Sequence, residues 1–325
     1  MIPLASNENP LGMPASAARA AADALQAAGQ YPDANGADLK AALAGRLGVP
    51  AGWLVLGSGS SEILTLTAQA CVRPGQGVVW SQYGFIVYGQ AAQLARGAAV
   101  VVPARDFGHD LGAMRAAVNV DTRLVFVANP NNPTGSFIDP AWLQGFIASM
   151  PPHVTVLLDE AYTEYLSPAQ RYDSMEWVRA HPNLIVARTF SKAYGLAGLR
   201  VGYGVAQPAL AARLNAIRPR FNVTTPALAA ARAALADGDY LARTYALNTA
   251  GRDQLAQGLA ALGLQCLPSA GNFVTARFAD AKAAHARLLA AGIAVSTLEP
   301  YGMADWLRIS VGLPEQNQAV LAALA

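Results

Sequence analysis

Seven short apolar runs rich in β-branched residues, separated by Ala/Leu-rich stretches, constrain the fold of this chain more than any other feature. The runs span residues 54–56, 77–80, 99–102, 123–127, 155–158, 184–186 and 201–205. Runs this short and this uniformly apolar read as strands buried on both faces, as in parallel sheets. Helix candidates such as 61–72 and 140–150 lie between most of them. The alternation predicts an α/β domain with a mostly parallel seven-stranded sheet. In such sheets ligands bind beyond the carboxyl ends of the strands. After Pro226 the texture changes. An Ala/Leu/Arg stretch runs to about Leu262, interrupted by Gly238 and Gly251. A strand candidate (273–276), a helix (281–290) and a final strand and helix follow, which predicts a smaller α+β unit. The expected division is a large domain at 29–221 and a small one formed by 1–28 with 222–325.

Composition closes off several function classes. The chain is 53% hydrophobic and only 14% charged, against about a quarter charged in typical domains, so disorder is excluded. A net charge of +2 with no basic tract leaves no nucleic-acid footprint. Two cysteines without motif spacing and four scattered histidines suit neither a disulfide framework nor a zinc site. No long uncharged apolar run is present, and the start lacks a charged segment leading into an apolar one. Neither a membrane span nor a signal peptide is expected, and the cytoplasm is the expected location.

Reactive side chains gather at the predicted strand ends. The only lysines are Lys40, Lys192 and Lys282. The first and last lie in Ala-rich segments that read as exposed helix faces. Lys192 follows the apolar run 184–187 in a stretch rich in Gly, Ser and aromatic residues. Lysine, unlike arginine, can lose its proton when desolvated, so Lys192 is a candidate Schiff-base former. Asp159 ends another run and opens Asp159-Glu160-Ala161-Tyr162. It suits an N-cap, or a partner that keeps a pyridinium nitrogen protonated, as pyridoxal phosphate requires. Gly57-Ser58-Gly59-Ser60-Ser61-Glu62 suits an ordinary turn and cap, or an anion cup at a helix N-terminus. Glu62 stands where a Rossmann fingerprint needs its third glycine, and no Walker lysine follows. Residues 129–135, Asn-Pro-Asn-Asn-Pro-Thr-Gly, form a turn by composition and fall beside Asp159 and Lys192. Arg200 and Arg308 each suit an ion pair or an anionic ligand. The planar guanidinium of Arg308, set in the apolar stretch 306–312, matches a carboxylate.

These segments together resemble the fold-type-I aminotransferases that use pyridoxal phosphate, and among them the histidinol-phosphate aminotransferases. The resemblance runs from Leu4-Ala5-Ser6-Asn7-Glu8-Asn9-Pro10 and Tyr31-Pro32-Asp33 through 59–62, 129–135, 159–162 and 191–202. It continues to Gly271-Asn272-Phe273-Val274 and 307–312, nearly the full chain. It implies that Lys192 holds the cofactor as a Schiff base and then moves a proton between the substrate α-carbon and the cofactor. It assigns Asp159 to the pyridine nitrogen, and Tyr162 and Asn132 to the phenolic oxygen. Phe85 is expected to stack on the ring, with Tyr83 as the alternative. Ser60, Ser61, Ser191 and Arg200 are expected to grip the phosphate. Arg308 takes the substrate carboxylate, with Asn7 and Tyr31 also substrate-facing. Tyr31 is expected to reach the cofactor phosphate of a neighbouring subunit, which implies a homodimer with shared sites. The implied reaction moves an amino group between L-histidinol phosphate, or a related aromatic amino acid, and 2-oxoglutarate, in histidine biosynthesis.

Two departures stand out. Only Met1, Ile2 and Pro3 precede the first matching segment, where the family carries an arm that helps cover the site. Ser296 stands where many relatives carry an arginine. The same family features are compatible with a decarboxylase acting on threonine phosphate. A sensor of cofactor or amino acids is the alternative from another class; such regulators add a DNA-binding module, and no basic helix is present here.

Overall fold

The computed structural model describes residues 1–325. All seven predicted runs enter one sheet. In chain order its strands are β2 (Leu54–Gly57), β3 (Gly77–Ser81), β4 (Ala98–Val102), β5 (Thr122–Ala128), β6 (Thr155–Asp159), β7 (Leu184–Thr189) and β8 (Gly202–Ala206). Their spatial order is β2-β8-β7-β6-β5-β3-β4. The five strands from β7 to β4 are parallel, and β8 runs antiparallel to both β7 and β2. Alternate residues face opposite layers: Val125, Val127, Val156, Leu158 and Val186 enter one apolar core, Leu124, Phe126, Leu157 and Ile185 the other. Burial on both faces is why these strands read as unbroken apolar runs.

A second, five-stranded sheet has the order β1-β11-β12-β10-β9, from β1 (Ile2–Leu4), β9 (Gln265–Leu267), β10 (Phe273–Arg277), β11 (Ile293–Thr297) and β12 (Trp306–Ser310). Helices Gly238–Ala261, Ala281–Ala290 and Pro314–Leu324 pack on it through Leu255, Leu259, Leu288 and Val320. Gly251 does not interrupt its helix as expected. A side chain there would meet Val311 Cγ1 at 2.5 Å, so the glycine permits close packing against the residue after β12. Helices Ala15–Ala24 and Thr225–Ala236 pack together by small residues, and Ala17, Ala227, Ala230 and Ala231 share the core of the large sheet.

Two consequences position the site. In register, Ala128 pairs with Asp159 and Asp159 with Ala187, so β5 and β6 end level and β7 runs two residues beyond them. The chain start returns over these ends: Ile2–Leu4 pair in parallel with 293–295, and the segment after β1 crosses toward β12. No helix is long and apolar enough to cross a membrane.

Candidate active site

A cavity of about 300 Å³ opens at the carboxyl ends of β5, β6 and β7. Lys192, Asp159, Tyr162, Ser60, Ser61, Phe85, Asn132, Ser191, Arg200, Arg308, Asn7 and Ser296 all line it. Tyr31 does not. It is exposed on the surface, stacked on Phe221 with ring centroids 4.7 Å apart. Tyr83 also lies outside, packed on Phe107, whereas Phe85, two residues before helix Val87–Leu94, lines the cavity.

One end of the cavity is an anion cup. Helix Ser60–Cys71 begins there, with Gly59 before it at φ +78°, and its first backbone amides have no helical partner. A side chain at Gly59 would strike Arg200 Nη2 at 2.5 Å, so the glycine admits the guanidinium beside the helix terminus. Arg200 Nη1 donates to Ser191 Oγ at 3.2 Å and to the Ala197 carbonyl at 2.9 Å, and no carboxylate pairs with it. Free amides, serine hydroxyls and an uncompensated cation make a receptor for a phosphate-sized dianion.

Asp159 forms the floor. It is 5% exposed and accepts from the Tyr88 hydroxyl (3.0 Å, Oδ2) and the Ala161 amide (3.2 Å, Oδ1). Burial pushes its carboxyl up to about 6, with the two hydrogen bonds pulling the other way. No arginine or lysine closes a salt bridge on it. A buried acceptor in this state favours a cationic partner entering the cavity.

Lys192 extends from the loop after β7. Its Nζ donates to the Ser6 carbonyl at 2.7 Å. Burial brings its ammonium down to about 8, assisted by Arg308 and Arg200 and opposed by Glu8 and Asp159. An amine that sheds its proton this close to neutrality is a usable nucleophile.

Arg308 closes the opposite side from β12. Nη1 donates to Asn132 Oδ1 and Nη2 to the Ala5 carbonyl at 2.7 Å, while buried Nε has no partner. Because a guanidinium only donates, Asn132 turns its oxygen toward Arg308 and leaves its amide nitrogen for the cavity. A guanidinium 8% exposed and lacking an acid is poised for an anionic ligand.

A family profile described as aminotransferase class I and II matches residues 1–324. The chain belongs to the class I and II aminotransferases. It is 57% identical to histidinol-phosphate aminotransferase 2 of Ralstonia nicotianae, over 100% of this chain and 88% of that protein. It is 56% identical to histidinol-phosphate aminotransferase 1 of Cupriavidus pinatubonensis, over 100% of this chain and 87% of that one. Among solved structures it resembles histidinol-phosphate aminotransferase from Sinorhizobium meliloti in complex with pyridoxal 5'-phosphate. That likeness has a TM-score of 0.92 at 33% identity, over 99% of this chain and 89% of that one.

As a class I and II aminotransferase the chain has cavity residues that sequence reasoning did not single out: Tyr88, Thr189, Tyr301 and Ser6. Tyr88 had a signal. It stands one helical turn after Phe85, so the two aromatics meet edge to face at 6.1 Å. Ser6 had none, because only its carbonyl is used.

Proposed function

We propose that this aminotransferase carries an amino group between L-histidinol phosphate, or a related aromatic amino acid, and 2-oxoglutarate, in histidine biosynthesis, with pyridoxal 5'-phosphate attached at Lys192. One observation carries the reading. Three cations without an acid partner, Lys192, Arg200 and Arg308, face one cavity whose floor is a buried carboxylate without a cation. That set complements a phosphorylated pyridinium at one end and an anionic amine at the other. Histidinol-phosphate aminotransferases 52–57% identical to the chain support the substrate.

When bound, the cofactor supplies an electron sink for charge developing at the substrate α-carbon. The chain's own residues do the rest. Ser60 and Ser61 amides, Ser191 and Arg200 hold the phosphate, and Phe85 covers the ring. Asp159 keeps the ring nitrogen protonated, while Tyr162 and Asn132 donate to the phenolic oxygen. Lys192, whose ammonium is brought down to about 8, would move a proton to and from the substrate α-carbon. The Arg308 fork suits the carboxylate of glutamate and the phosphate of histidinol phosphate alike. Asn7 borders the substrate.

We further propose a homodimer in which the exposed Tyr31 reaches the partner's cofactor phosphate, acting in the cytoplasm. The proposed domains are 29–221 and 1–28 with 222–325, and helices Ala15–Ala24 and Thr225–Ala236 of the second pack on the core of the first.

The test is glutamate formation from histidinol phosphate and 2-oxoglutarate by the purified protein. The expected result is turnover that disappears, together with the visible absorbance, in Lys192→Ala. Cofactor-loaded protein that moves no amino group from histidinol phosphate or glutamate overturns the reading.

A further inference from the structure

The segment 5–9 crosses the cavity, and Asn7 within it is 1% exposed with every polar group engaged by protein. Its backbone N–H donates to Ser310 Oγ at 2.8 Å, and its carbonyl accepts from Asn272 Nδ2 at 2.9 Å. Its side-chain oxygen accepts from Ser310 Oγ at 3.0 Å, and its side-chain nitrogen donates to the Tyr162 hydroxyl oxygen at 2.9 Å. Each polar atom of Asn7 thus has a protein partner, and one side-chain N–H is left over.

The orientation of the amide follows from Ser310. That hydroxyl is 1% exposed, already accepts from the Asn7 backbone, and has the Asn7 side-chain oxygen as its only acceptor. Turning the amide over would strand a buried donor, a costly arrangement. With the nitrogen thus aimed at Tyr162, the tyrosine oxygen is an acceptor on that side. No protein acceptor takes the Tyr162 proton. The hydroxyl is left to donate into the cavity. Asn7 adopts φ +54°, a left-handed conformation that Asn and Asp tolerate better than other side chains.

We propose that Asn7 is a positioning residue that sets the direction of the Tyr162 hydroxyl, holding it as a donor toward the cofactor's phenolic oxygen. The inference rests on the proposed contact between Tyr162 and that oxygen. A donor there withdraws charge and lowers the pH at which the bound cofactor's visible absorbance changes.

Asn7→Asp tests it. The variant keeps size and backbone tolerance but turns the donor facing Tyr162 into an acceptor, which draws the tyrosine proton away from the cavity. Absorbance is titrated in holoenzyme of the wild type, Asn7→Asp, Tyr162→Phe and the double variant. Asp159, Arg308 and Tyr301, which also influence Tyr162, are unchanged in all four. Asn7→Asp is expected to raise the midpoint by about one pH unit, and to add little in the Tyr162→Phe background. An equal shift in both backgrounds would reflect the added charge alone and overturn the proposal, as would no shift at all. A midpoint unmoved by Tyr162→Phe would remove the tyrosine contact itself, and the proposal with it. Ser310→Ala, which frees the amide to turn, provides a charge-neutral second variant. It should shift the midpoint the same way by a smaller amount, and only while Tyr162 is present; no shift there counts against the proposal.

Discussion

Asp159 and Glu160 are neighbours in sequence and both are buried, yet their surroundings differ completely. Glu160, fully buried, points away from the cavity. It binds Arg188 Nε at 2.8 Å and accepts from Ser174 Oγ at 2.9 Å. Asp159 points into the cavity and has only a tyrosine hydroxyl and one backbone amide. The difference separates a carboxylate whose counter-charge is built into the fold from one whose counter-charge must arrive with a ligand. Burial alone distinguishes neither; the missing cation does.

The largest test of this contrast is catalytic. Asp159→Asn should lower kcat/KM on the order of 10⁴-fold, about 5 kcal/mol, because a carboxamide cannot keep a ring nitrogen charged. Glu160→Gln, once folded, should stay within about tenfold of wild type on the same scale. Equal losses in the two variants would erase the distinction. Next is stability. Glu160→Gln leaves Arg188 buried without its charge partner and should cost about 4 kcal/mol in urea unfolding.

The third test reverses the sign. In the cofactor-free protein, Asp159 has a carboxyl raised from 3.8 to about 6. A raised acid contributes full stability below pH 3.8 and loses it as pH rises through about 6. At about 1.4 kcal/mol per pH unit the loss is roughly 3 kcal/mol. Cofactor-free Asp159→Asn should therefore unfold at higher urea than wild type at pH 7, with the gap closing below pH 4. An unchanged gap across that range would mean that the carboxylate is compensated. Smallest is Tyr88→Phe. The ring keeps its stack on Phe126, centroids 4.6 Å apart, but loses the hydroxyl on Asp159. Cofactor affinity should fall about tenfold, near the lower end for a hydrogen bond to a charged group.

The same pair shows what a sequence can reveal. The seven strands were legible because strands buried on both faces carry no polar interruptions, and Asp159 was legible because it ends such a run. Ser60, Ser61 and Lys192 were found for the same reason: each follows a strand end. Tyr88 was not: its one-turn spacing from Phe85 was the only signal, and a tyrosine in an apolar helix otherwise reads as core. β1 escaped notice as three residues, one of them proline, whose partners lie near residue 294. The Asn7 contacts escaped for the same reason of distance: Ser310, Asn272 and Tyr162 all lie far from it in sequence.

That long reach has a consequence for how the molecule is made. Asn7 and Ser310 are 303 positions apart, and the Lys192 amine rests on a carbonyl 186 positions before it. Contacts this remote in sequence close late and slowly. On the ribosome, nearly the whole chain must emerge before the first residues made can meet the last strand. Until then the large sheet can form with its cavity open on one side, and the wall that Arg308 builds with the first residues is completed last.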